Sequence, residues 1–153
     1  MYKSSRLTTF LKLDYVMLAK KLEIKNPNKD LPCKFSIVLI DQNEMLLNLL
    51  DFELAERKGF SVTHSTNGVE LLNSDEPQPD LIIMDLIMEG ISGIEFIKEL
   101  RSTKSFTHTK VIVLSEKLND ADIRQLESLK VDDIIQKPVN ISELLFRVEK
   151  VRE

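Results

Sequence analysis

From Phe35 onward, hydrophobic residues fall in two alternating kinds of run. Short stretches, "KFSIVLID", "FSVTHS", "DLIIMD", "KVIVLS" and "DDIIQ", are compact, and all but "FSVTHS" are rich in Val, Ile and Leu. Between and after them come "EMLLNLLDFELAERKG", "GVELLNS", "GIEFIKELRS", "DADIRQLESLK" and "ISELLFRVEKVRE", whose apolar residues recur three and four apart. The first kind predicts buried strands and the second amphipathic helices, with Gly59 closing the first helix. Five strand–helix pairs with strands apolar on both faces predict a parallel sheet covered on both sides through right-handed crossovers, a doubly wound α/β domain.

Ligands of such sheets sit at the carboxyl ends of the strands. The polar residues that end strands therefore carry the chemical information: Asp41 and Gln42, Asp85, Ser115, and Lys137 followed by Pro138. Asp85 is the most demanding, because "PDLIIMDLIMEGISG" sets one carboxylate among apolar residues, where lost hydration requires compensating partners. The first strand runs into "DQNEM" with no glycine-rich phosphate loop, which disfavours nucleotide binding. Two acids, a hydroxyl and a lysine at one sheet edge suit a carboxylate nucleophile attacking phosphorus: a divalent cation offsets the crowded oxygens, Lys pairs with one and a hydroxyl with another. The same charges would also serve as a structural ion-pair cluster.

"IVLIDQNE", "LIIMDLIMEGISG", "VIVLS" and "IIQKPV" resemble, in order and at matching spacing, the four signature segments of response-regulator receiver domains of the CheY-like type. The resemblance covers about residues 35–153. It implies the flavodoxin-like strand order 2-1-3-4-5 with helices on both faces and a receiver over residues 34–153; residues 1–33 lie outside the usual pattern and read as an N-terminal helix and linker. It further implies that Asp85 is the phosphoacceptor, taking its phosphoryl group from a phosphohistidine on a sensor histidine kinase or a phosphotransfer protein. Lys137 matches the lysine that holds a phosphoryl oxygen, with Pro138 usually cis, and Ser115 the hydroxyl that turns toward the phosphoryl group. Asp41, Asp85 and the backbone carbonyl of Ile87 match the ligands of Mg²⁺. Such a domain is a signalling phosphoacceptor with Mg²⁺-dependent self-phosphorylation and dephosphorylation at most, not an enzyme in the ordinary sense, and it acts on a downstream protein target.

The departures from the pattern are specific. Gln42 stands where the family has a second acid at the metal; its amide oxygen is a weak or indirect ligand without charge, so Mg²⁺ affinity falls. Glu44 is a candidate to compensate, against a role at the helix start. Glu116 replaces a small residue, Ile134 the switch aromatic and Glu89 a common proline. These three changes and Gln42 leave a second reading, a degenerate receiver that acts as a phosphate-independent interaction module. A third, a hydrolase with an aspartate nucleophile, requires a second acid where this chain has Ile87.

Composition narrows the setting. At 153 residues, 42% hydrophobic and 30% charged, the chain has room for one ordinary core. A lone cysteine, Cys33, and the lack of an apolar run long enough to span a bilayer lead to the expectation of a reduced, cytoplasmic protein. His64 and His108 are expected away from the acidic edge, and "NDADIR" reads as a helix start rather than a metal loop.

The net charge of -4 is uneven: residues 1–34 hold eight Lys/Arg against three Asp/Glu. In that segment Leu7, Leu11, Tyr15, Leu18 and Leu22, widened by Phe10 and Met17, form one stripe of an amphipathic helix, and "NPNKDLP" reads as the linker after it. A lone helix of this length is marginal, so its stripe must be covered. Fold-back onto the receiver, docking on a partner, and homodimerisation are the main options; Lys20, Lys21 and Lys25 near its end leave membrane-surface or nucleic-acid binding as a lesser one, the latter disfavoured because a helix-turn-helix needs a second helix. Since five strand–helix pairs already complete a core, the expectation is a dimer through this helix. Sedimentation should show a dimer for the intact chain and a monomer for one starting at Lys34; two monomers with the same unfolding behaviour would exclude it.

Overall fold

The computed structural model describes residues 34–153 except Glu89. The expected N-terminal helix and linker, Cys33 and the Glu89 substitution lie outside the described residues. The elements run β1 (Ser36–Ile40), α1 (Glu44–Asp51, continued as a π-helical segment Phe52–Arg57), β2 (Ser61–Ser65), α2 (Gly68–Leu72), β3 (Leu81–Asp85), α3 (Gly93–Ser102), β4 (Lys110–Ser115), α4 (Asp120–Ser128), β5 (Asp133–Gln136) and α5 (Ile141–Arg152). A single 3₁₀ turn, Lys104–Phe106, precedes β4.

All strand pairs are parallel and the order is β2-β1-β3-β4-β5, as expected. The two-residue period of a strand divides each one between two cores. Ile37, Leu39, Leu81, Ile83, Ile112 and Leu114 face one layer and pack with Leu47, Leu50 and Leu54 of the first helix and Leu144 and Val148 of α5. Val38, Ile40, Ile82, Met84, Val111 and Val113 face the other, with Phe96, Ile97 and Leu100 of α3 and Leu126 of α4. Burial on both faces explains the near-continuous apolar runs of β1, β3 and β4. The edge strand β2 is half exposed and correspondingly polar.

Each helix starts at the carboxyl edge of the sheet with an N-cap that accepts a backbone N–H: Asn43, Asn67, Ser92, Asn119 and Asn140. Ser92 with Glu95 and Asn119 with Asp122 complete reciprocal capping boxes. These caps fix where the loops that carry the strand-end residues stop. At the opposite edge Arg101 donates to the carbonyls of Leu129, Thr109 and Lys130 at 3.1, 2.8 and 3.2 Å, tying the end of α3 to two turns.

The loop after Asp85 is held by a close approach. The Gly93 N–H donates to the Leu86 carbonyl at 2.9 Å, and a Cβ on Gly93 would lie 2.6 Å from Leu86 Cα. Backbone cannot yield as a flexible side chain does, so Gly93→Ala should cost about 1–3 kcal/mol in urea unfolding. An unchanged midpoint would mean that the loop packs loosely.

Candidate functional site

The fold brings three of the expected residues to one point. Asp41 leaves β1, Asp85 ends β3, and Lys137 leaves β5 across the sheet. The Lys137 Nζ donates to Asp41 Oδ2 at 2.8 Å and to Asp85 Oδ2 at 2.9 Å. The side chains are largely withdrawn from water, 4% exposed for Asp41 and 15% each for Asp85 and Lys137, so these are short charge-assisted bonds in a poorly hydrated setting. The second oxygen of each acid is held by backbone: Asp41 Oδ1 accepts the Asn43 N–H at 2.8 Å, and Asp85 Oδ1 the Ile87 N–H at 3.2 Å.

Burial alone would lower the Lys137 pKa. Hydrogen bonds to Asp41 and then Asp85, with coulombic attraction to both, outweigh it and hold the ammonium above the ordinary lysine value of 10.5. The Lys137–Pro138 peptide is cis.

Ser115 is at the same edge but points elsewhere. Its buried hydroxyl donates to the Lys117 carbonyl at 3.1 Å, while its own carbonyl accepts the Lys137 N–H at 2.9 Å. Gln42 and Glu44 are exposed and share a cleft with Glu70, Thr66 and Asn67. Ile87 is exposed and Ile134 is partly buried against the α3–α4 core. His64 faces Asp51 on the first helix, Nε2 to Oδ2 3.5 Å, and does not enter the pocket. The residue that sequence reasoning passed over is Asn43, whose N–H orients Asp41 while its side chain caps α1. The signal was present as an acid two residues before a cap in "DQNEM".

Among the described residues no group of three or more His, Cys, Asp or Glu side chains is placed to hold a metal ion. Two carboxylates converge, however, and they present hard oxygen donors whose lone pairs are only partly used. With the Ile87 carbonyl and the Gln42 amide nearby in sequence, the donor set fits a small cation that keeps several waters, as Mg²⁺ does.

The sequence model described as the response regulator receiver domain matches residues 37–149. Over 116 residues the chain is 34% identical to the uncharacterized transcriptional regulatory protein YkoG of Bacillus subtilis, covering 75% of this chain and 50% of that protein. Over 115 residues it is 33% identical to the transcriptional regulatory protein CpxR of Escherichia coli K12, covering 75% and 48%. The chain thus spans about half the length of these regulators. It is 27% identical over 115 residues to the polar-differentiation response regulator DivK of Brucella anthropi, covering 74% and 93%. The fold is that of the chemotaxis response regulator CheY4 of Vibrio cholerae, with TM-score 0.69, 21% identity and 77% and 98% of the two chains covered. It is also that of the receiver domain of the Pseudomonas aeruginosa sensor histidine kinase PA1611, described with magnesium in its active-site cleft: TM-score 0.66, 20% identity, 78% and 99% covered.

Replacing Lys137 by Met leaves the buried Asp41 and the partly buried Asp85 facing each other without a counter-charge and should cost about 3 kcal/mol at neutral pH. Because the folded-state pKa is raised, the stabilisation is fully present below 10.5 and is lost as pH rises through the higher folded value. Denaturant unfolding should therefore show a wild-type advantage that is flat across neutral pH and shrinks only in strong alkali; an advantage already fading below pH 9 would contradict the bridge.

Proposed function

The chain belongs to the response regulator receiver family, and from that premise we propose that it accepts a phosphoryl group on Asp85 from a phosphohistidine and signals by protein contact. The observation that carries this reading is the Lys137 ammonium shared by Asp41 and Asp85 at the carboxyl edge of the sheet. The donor is a sensor histidine kinase or a histidine phosphotransfer protein, the recipient of the signal is a downstream protein, and the setting is cytoplasmic. The receiver occupies residues 34–153, with residues 1–33 serving association.

In the transfer, an Asp85 carboxylate oxygen forms a bond to phosphorus as the P–N bond to the donor imidazole breaks, the bonding pair leaving with that nitrogen. Lys137, already 2.9 Å from Asp85, pairs with one phosphoryl oxygen. Ser115 exchanges its bond to the Lys117 carbonyl for another. Asp41, Asp85, the Ile87 carbonyl and Gln42 would hold Mg²⁺, which when bound neutralises charge on the phosphoryl oxygens. Asn43 keeps Asp41 oriented throughout.

A second reading, a phosphate-independent interaction module, draws on the neutral, exposed Gln42, on Glu116 in place of a small residue and on Ile134 in place of an aromatic. The two diverge on incubation with acetyl phosphate. The phosphoacceptor reading predicts a Mg²⁺-dependent mass increase of one phosphoryl group, absent from Asp85→Asn; no increase at any Mg²⁺ concentration favours the module. Gln42→Asp should tighten Mg²⁺ binding by on the order of tenfold in calorimetric titration, since it restores a charge to the ligand set. Equal affinities would mean that Gln42 takes no part in the site.

A further inference from the structure

The cleft beside Lys137 carries a carboxylate that the transfer chemistry does not use. Glu116 follows Ser115 at the end of β4, is exposed, and lines an open cleft of about 480 Å³ together with Lys137 and Asn43. Lys117, the next residue and the nearest base in sequence, does not line that cleft. Asp41, Asp85 and Lys137 already sum to one negative charge. Glu44 and Glu70 line a separate cleft with Gln42. Any phosphodonor is itself an anion, so a donor that enters the cleft beside Lys137 meets the fixed negative charge of Glu116.

We propose that Glu116 is a specificity-determining residue that repels small, free anionic phosphodonors and so favours a phosphoryl group presented by a protein surface carrying its own positive charge. The inference rests on the proposed phosphoacceptor role of Asp85 and adds to it a selection among donors. Its physical basis is long-range: Glu116 acts on the concentration of donor at the mouth, while the bond to phosphorus is made by Asp85 and the acetate of a donor such as acetyl phosphate leaves with the electron pair of the broken P–O bond. Charge rather than bulk is the agent, which separates this role from a steric one. A protein donor escapes the barrier because basic side chains around its phosphohistidine would meet Glu116, Glu44 and Glu70 as partners.

The intact chain and its Glu116→Gln variant, which has the same size without the charge, decide the matter with acetyl phosphate as donor at saturating Mg²⁺. Initial rates of phosphoryl incorporation are followed by mass at low and high ionic strength. The variant should react about threefold faster at low salt, through the apparent KM for the donor and not the maximal rate. The gap should close at about 1 M salt, where screening acts within about 3 Å. Equal rates at low salt, or a difference that salt does not change, would overturn the electrostatic role of Glu116 while leaving Asp85 as acceptor. Failure of both chains to react at any donor concentration would overturn the phosphoacceptor reading, and this inference with it.

Discussion

One ammonium group organises the carboxyl edge of this domain. Lys137 reaches from the exit of β5 to carboxylates delivered by β1 and β3, and its backbone N–H binds the Ser115 carbonyl at the end of β4. Four of the five strands thus meet through a single residue. Without it, two carboxylates with little exposure would repel each other in a medium that screens them poorly. With it, the cluster keeps one unit of negative charge. The backbone N–H groups of Asn43 and Ile87 fix the remaining oxygens, so the acids are oriented before any ligand arrives.

The strands were readable because burial on both faces leaves a direct trace: "IVLI", "LIIM" and "VIVL" have no polar position to confuse strand with loop; their order followed only from the resemblance of the strand-end segments to receiver domains. α3 was readable to the residue, since Ser92 and Gly93 start it and Thr103 leaves helical geometry. The first helix was read as one uniform segment to Gly59, but it changes from α to π geometry at Phe52. A shift of one hydrogen-bond partner leaves no mark in a hydrophobic pattern that both geometries satisfy locally. The 3₁₀ turn at Lys104–Phe106 was missed because three residues are too few to show a period.

For the site, the meeting of Asp41, Asp85 and Lys137 followed from strand-end position alone. The direction of the Ser115 hydroxyl did not: a side chain next to a turn chooses between a distant partner and a local carbonyl, and here Lys117 provides the nearer one. The role of Asn43 was hidden because a cap and an orienting N–H are the same residue seen from two sides. Gln42 and Glu116 show where charge in this chain departs from the pattern of its family, one acid lost at the proposed metal side and one gained beside Lys137. On the proposed reading both would act on approach and occupancy, whereas the acid pair and its lysine would govern the bond that forms.

The central claim is that Asp85 is the atom donor to phosphorus, and chemical trapping of the modified residue addresses it most directly. After brief incubation with a phosphodonor and Mg²⁺, borohydride reduces an acyl phosphate to an alcohol, turning the modified aspartate into homoserine. Peptide mapping should find homoserine at position 85 and at no other aspartate. A reduced residue at Asp41 or elsewhere, or a phosphoryl group that resists borohydride because it sits on a hydroxyl or an imidazole, would contradict the account.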